Sequence, residues 1–103
     1  VIQAAARVLA AEELLLRSFA AGVAPGELAR ALKISPPAAT RCLRTLAQAG
    51  RAERIPETDR WRASHRLGRL AIQAVNAIDR AIADLGESRQ RLDPDRSVSV
   101  RTY

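Results

Sequence analysis

Residues 22–50 read GVAPGELARALKISPPAATRCLRTLAQAG, and residues 51–63 continue as RAERIPETDRWRA. The first stretch spells two helices separated by a tight turn. Pro25 suits the first turn of a helix, where its missing N–H has no partner to lose, and Glu27 complements the positive helix end. Leu28, Ala29 and Leu32 share one inward face, which predicts a helix over residues 25–32. Lys33 and Ile34 make the turn. Ser35 is then a good N-cap, and Pro36 and Pro37 are tolerated in the first turn that follows. Ala39, Leu43 and Leu46 repeat at i, i+4 and i+7, a buried seam that ends at Gly50. Cys42 lies beside that seam and reads as a small buried hydrophobe.

The second stretch predicts a hairpin, residues 51–55 and 60–63, closed around PETD, a sequence rich in turn formers. Trp61 is the single large aromatic anchor available to pack that hairpin onto the body. Helix, turn, helix and hairpin in this order predict a mostly α winged helix-turn-helix: a three-helix core, a β-hairpin wing and then a long C-terminal helix.

Upstream, residues 2–20 are dense in strong helix formers and lack Gly and Pro, with Gly22 as a left-handed cap. Ala5, Val8, Leu9, Leu15, Leu16 and Phe19 fall near one broad stripe; Leu14 widens it, which predicts burial on more than one side. Downstream, Ser64 caps a helix reaching Leu85 or beyond. Its apolar stripe comprises Leu67, Leu70, Ala71, Ala74, Val75, Ile78, Ala81, Ile82 and Leu85. A helix this long outruns a small body, so the surplus stripe is a dimerisation candidate. Leu14, Leu15, Leu70, Ala74, Ile78, Ile82 and Leu85 are the expected subunit contacts. Asp93-Pro94-Asp95 ends the helix, and RSVSVRTY reads as a mobile tail. The expected organisation is residues 1–64 for the winged domain, 65–92 for the helix and 93–103 for the tail.

Composition narrows the function. The 103 residues carry 17 Lys+Arg against 11 Asp+Glu, a formal charge of +6, and every cation but Lys33 is arginine. Arginine grips phosphates and reads guanine edges bidentately, although a GC-rich genome also raises arginine content. One cysteine excludes an internal disulfide and any multi-cysteine zinc site, and His65 has no partner at metal-ligand spacing. No acid pair, Ser-His-Asp set or phosphate-cradling Gly-rich loop appears, so neither catalysis nor a cofactor is expected. Arg7, Glu12, Glu13 and Arg17 interrupt the first apolar run, which is therefore neither a signal-peptide core nor a membrane span. A cytoplasmic location and no membrane partner are the expectation. The chain begins with Val, consistent with residues missing before it.

The outward face of the second motif helix presents Pro37, Thr40, Arg41, Arg44 and Gln48, and that helix contains no Asp or Glu. Arg41 and Arg44 are expected to reach guanine edges. Thr40 could touch a phosphate or a thymine methyl, and Ser35, Pro36 and Pro37 lie at the same helix start. In the wing, Arg54, Arg60 and Arg62 are expected to hold phosphates or reach the minor groove. The competing reading pairs the wing arginines with Glu53, Glu57 or Asp59.

LARALKISPPAATRCLRTLAQAG, followed after a hairpin by HRLG, resembles the DNA-binding domain of IclR-type transcriptional regulators. The matching positions are Leu28-Ala29, Leu32, Ile34, Arg41, Leu43, Thr45-Leu46, Gly50 and Leu67-Gly68, within a similarity covering residues 4 to about 75. The resemblance implies sequence-specific binding of double-stranded DNA by a homodimer, usually in transcriptional repression. Two features depart from the family. Pro37-Ala38 replaces a Ser-Thr pair at the start of the reading helix, and no effector-binding domain follows, so no small-molecule effector is inferred. A compact regulator of phage or mobile-element origin, or a piece of a longer protein, would fit. Two alternatives stay open: a winged-helix protein-interaction module, and an architectural DNA-binding protein without base readout.

Overall fold

The computed structural model describes residues 2–95, so all of the expected tail at residues 93–103 except residues 93–95 lies outside the described residues. The chain is mostly helical with one small antiparallel sheet. Its order is α1 (Ile2–Arg17), α2 (Pro25–Leu32), α3 (Pro36–Gln48), β1 (Ala52–Arg54), β2 (Trp61–Ala63) and α4 (His65–Leu92). It divides into two compact units, Val1–Gly68 and Arg69–Tyr103.

In the first unit, α1, α2 and α3 close on a core of Ala11, Leu15, Val23, Leu28, Ala39, Cys42, Leu43 and Leu46. Ala52 and Ala63 seal the core from the hairpin, and Trp61 packs against its edge. The local signals act as their chemistry dictates. Ser35 Oγ accepts from the Ala38 N–H at 3.2 Å and caps α3. At the other end, Gly50 (φ 72°) closes α3. The Gly50 N–H donates to the Ala47 carbonyl and the Arg51 N–H to that of Leu46, which satisfies the last carbonyls. Glu27 accepts from the Ala24 N–H at 2.8 Å, tying the start of α2. Ser64 Oγ accepts from the Leu67 N–H at 3.1 Å and donates to the Gly50 carbonyl at 2.8 Å, joining α4's first turn to α3's end.

The hairpin pairs Ala52 with Ala63, Glu53 with Arg62 and Arg54 with Trp61, and its loop is the PETD segment. A further pairing extends the sheet by one residue. The Val23 N–H donates to the Trp61 carbonyl at 2.7 Å, and the Trp61 N–H returns the bond at 2.8 Å. Gly22 (φ 75°) makes this approach possible: a Cβ there would sit 2.5 Å from Ile55 Cδ1 and 3.0 Å from the Trp61 carbonyl oxygen.

Two expectations for α1 need correction. Leu15 is fully buried in the core, so it is not a subunit contact; Leu14 also packs against that core. The inward face is Val8, Ala11, Leu14 and Leu15, whereas Ala5, Leu9 and Leu16 are exposed. The helix also stops at Arg17 rather than near residue 20, and turns carry the chain to Gly22. The run Leu14-Leu15-Leu16 explains the slip, because three consecutive leucines leave the helix phase open.

In the second unit, α4 runs on through Gly86 to Leu92, and Asp93-Pro94-Asp95 follows it. No residue of α4 is buried, and Leu70, Ile72, Val75, Ile78, Ile82, Leu85 and Leu92 are exposed.

Candidate nucleic-acid interface

α3 carries two opposed faces. Ala39, Cys42, Leu43 and Leu46 are buried. Pro37, Arg41, Arg44 and Gln48 recur at spacings of four, three and four on the outward side, and all four are exposed. Pro36 and Ser35 are exposed at the helix start, with the Ser35 hydroxyl engaged as the cap. Thr40 is half-buried on the hairpin side. It lines a groove with Pro25, Leu43, Arg44, Arg54, Asp59 and Trp61. Arg41 and the exposed Thr45 line the cleft on the opposite flank, toward α1.

The electrostatics separate these arginines from those of the hairpin. Among the described residues, Arg41 and Arg44 make no ion pair and no side-chain hydrogen bond. Each hairpin arginine, by contrast, is held within the protein. Arg54 donates from Nε to the Thr58 carbonyl at 2.8 Å and pairs with Asp59 at 3.0 Å. Arg60 donates to the carbonyls of Ala21 (3.0 Å) and Gly22 (2.9 Å) and pairs with Glu27 at 2.9 Å. Arg62 pairs with Glu53 at 3.3 Å, and its guanidinium lies 5.4 Å from the centroid of the Phe19 ring. Of the two readings for these arginines, pairing within the protein is the one seen for Arg54 with Asp59 and for Arg62 with Glu53, while Arg60 pairs with Glu27, an acid outside the expected set. They fasten the hairpin loop, the α1–α2 junction and the sheet.

The acids feel these contacts. The Ala24 N–H, helped by the Arg60 charge and hydrogen bond, holds the Glu27 carboxyl below its ordinary pKa against the opposing cost of desolvation. Partial burial works to raise Glu53, but the His65 main-chain N–H, the His65 ring and Arg62 outweigh it, so the net shift is downward. His65 also meets the Phe19 ring edge-on at 5.3 Å. It is a junction residue between hairpin and α4. Arg51 is bound to Glu12 of α1, a link from helix to sheet that sequence reading overlooked.

No protein-family model, curated protein or solved structure matches this chain. Among the described residues, no group of three or more His, Cys, Asp or Glu is placed to hold a metal ion. No helix among them is long and apolar enough to cross a membrane. Cys42 is buried in the core.

Sequence reading missed Thr45, four residues beyond Arg41 and exposed on the same side of α3. It also missed Arg7, which lines the α1–α3 cleft with Arg41. The available signal for Arg7 was that both acids of α1, Glu12 and Glu13, lie in the helix's later half.

Proposed function

We propose that this chain is a winged helix-turn-helix protein that binds double-stranded DNA sequence-specifically and regulates transcription, as a cytoplasmic repressor acting by occlusion. One observation carries the reading. Of the six acids in the first unit, Glu12, Glu13, Glu27, Glu53 and Asp59 each pair with a cation other than Arg41 and Arg44, and Glu57, in the hairpin loop, pairs with neither, so α3's outward face stays basic. An unpaired basic helix face of this kind is the footprint of a nucleic-acid binder, and a protein-interaction module has no need of it. The side chains of Arg41, Arg44, Gln48, Thr40 and Pro37 suit the major groove, where arginine meets guanine and apolar atoms meet the thymine methyl. The resemblance of residues 4 to about 75 to IclR-type DNA-binding domains supports the same reading.

The protein acts as a homodimer in this proposal. Leu70, Ala74, Ile78, Ile82 and Leu85 are exposed along α4 at spacings near three and four, a row that a second copy would cover. A twofold axis then places two copies of α3 on inverted half-sites about one or two turns apart, ~34 Å per turn.

Selection from a random duplex pool at about physiological salt tests the proposal. Enrichment of an inverted repeat is expected. Binding without enrichment would leave an architectural role, and absence of binding would favour a protein-interaction module.

A further inference from the structure

Backbone amides at a helix N-terminus ordinarily make a ready anion site. α3 offers few. Pro36 and Pro37 have no N–H, the Ala38 N–H is taken by Ser35 Oγ, and the Ala39 N–H by the Ser35 carbonyl at 3.0 Å. The hairpin arginines are engaged as well. A DNA-binding face built this way needs its phosphate contacts from elsewhere.

Six cations of the first unit have no acid partner among the described residues: Arg7, Arg30, Lys33, Arg41, Arg44 and Arg66. Three of them form a continuous row. Lys33 and Arg7 line one cleft with Gln3, Leu32 and Ile34, and Arg7 and Arg41 line the next with Ala38 and Thr45. No acid lines either cleft. The acids of α1 lie farther along the helix, bound to Arg51 and Arg17.

Lys33 adds a second observation. It closes α2 in the left-handed conformation (φ 55°), its N–H donating to Arg30 and that of Ile34 to Ala29. Glycine takes that position without steric cost, yet the chain's one lysine stands there with its side chain exposed.

We infer that Arg7 and Lys33 hold the DNA phosphate run beside the bases that Arg41 reaches. The phosphate grip then comes from α1 and the α2–α3 turn, and the wing serves as a brace. This rests on the DNA-binding reading above.

The test is the dependence of binding on salt, measured by fluorescence anisotropy with the full chain and a random-sequence duplex. Arg7→Gln and Lys33→Gln are each expected to flatten the slope of log K against log salt by about 0.9, and the double variant by about 1.8. Lys33→Gly is expected to flatten it equally while raising the melting temperature, which separates lost charge from lost fold. Arg54→Gln is expected to leave the slope unchanged. Unchanged slopes for Arg7→Gln and Lys33→Gln with a wild type that binds would overturn the inference alone, as would a slope flattened by Arg54→Gln instead. A wild type that binds no duplex would overturn the DNA-binding reading and the inference with it.

Discussion

The outward face of α3 carries two arginines, Arg41 and Arg44, and the hairpin three, Arg54, Arg60 and Arg62; the two regions border one groove, where Arg44 and Arg54 both contribute to the lining. Their chemistry differs. Hairpin arginines meet carboxylates and main-chain carbonyls of the same molecule, while Arg41 and Arg44 meet none among the described residues. A surface arginine is a candidate reader only after its acids have been located in space. For Arg54 and Arg62 those partners are near in sequence, but Arg60 holds Ala21 and Gly22 across a separation of 39 and 38 residues.

The largest expected effect is on the α3 face. Arg41→Ala and Arg44→Ala should each remove roughly 1–3 kcal/mol of discrimination between bases, measured as affinity for an enriched duplex against a scrambled one. Neither change should move the melting temperature, because neither side chain holds another part of the protein. A fall in stability on either substitution would place these residues in the same class as the hairpin arginines.

Gly22→Ala probes the other region next. A side chain at positive φ costs about 1–2 kcal/mol, and its Cβ would press on Ile55 and the Trp61 carbonyl. Chemical denaturation should therefore show a loss of at least that size. Arg60→Ala should lose about 1 kcal/mol from its two carbonyl bonds, or roughly 4–8 °C in melting temperature, with the salt slope of DNA binding unchanged. A flattened slope with full stability would return the hairpin to the phosphate contacts.

The smallest effect is a pH dependence. Glu27 and Glu53 both have folded pKa values below their unfolded ones. Their contribution is complete above the ordinary carboxylate range, about 4.3, and is lost as pH falls through the depressed folded values. Melting temperature should decline below that range, and Glu27→Gln with Glu53→Gln should make the decline shallower. An identical decline in the double variant would show that these acids do not brace the hairpin.

Much of the stretch from α2 to β2 was legible because its signals are local. Pro25, Ser35 and Gly50 mark helix ends by chemistry within a few residues, and PETD closes the hairpin as its turn formers require. The rest depends on distance. The Val23–Trp61 pairing is a single bridge with no periodicity to betray it. The buried side of α1 was blurred by its run of leucines, so Ala11 went unnoticed in the core and Leu15 was placed at a subunit contact. For the candidate site, the residues of α3 could be read from helical spacing. The pairs Arg54–Asp59 and Arg62–Glu53 match one of the two readings the sequence allowed; the hold of Arg60 on Ala21, Gly22 and Glu27, and the alignment of Lys33, Arg7 and Arg41, follow only from how the elements pack.

The most direct measurement is a parallel selection from a random duplex pool with the wild type, Arg41→Ala and Arg54→Ala. The expected result is an inverted repeat enriched by the wild type and by Arg54→Ala, with one base position in each half-site losing its preference in Arg41→Ala. An enriched sequence that is the same for all three proteins would contradict the assignment of the α3 face as the reader.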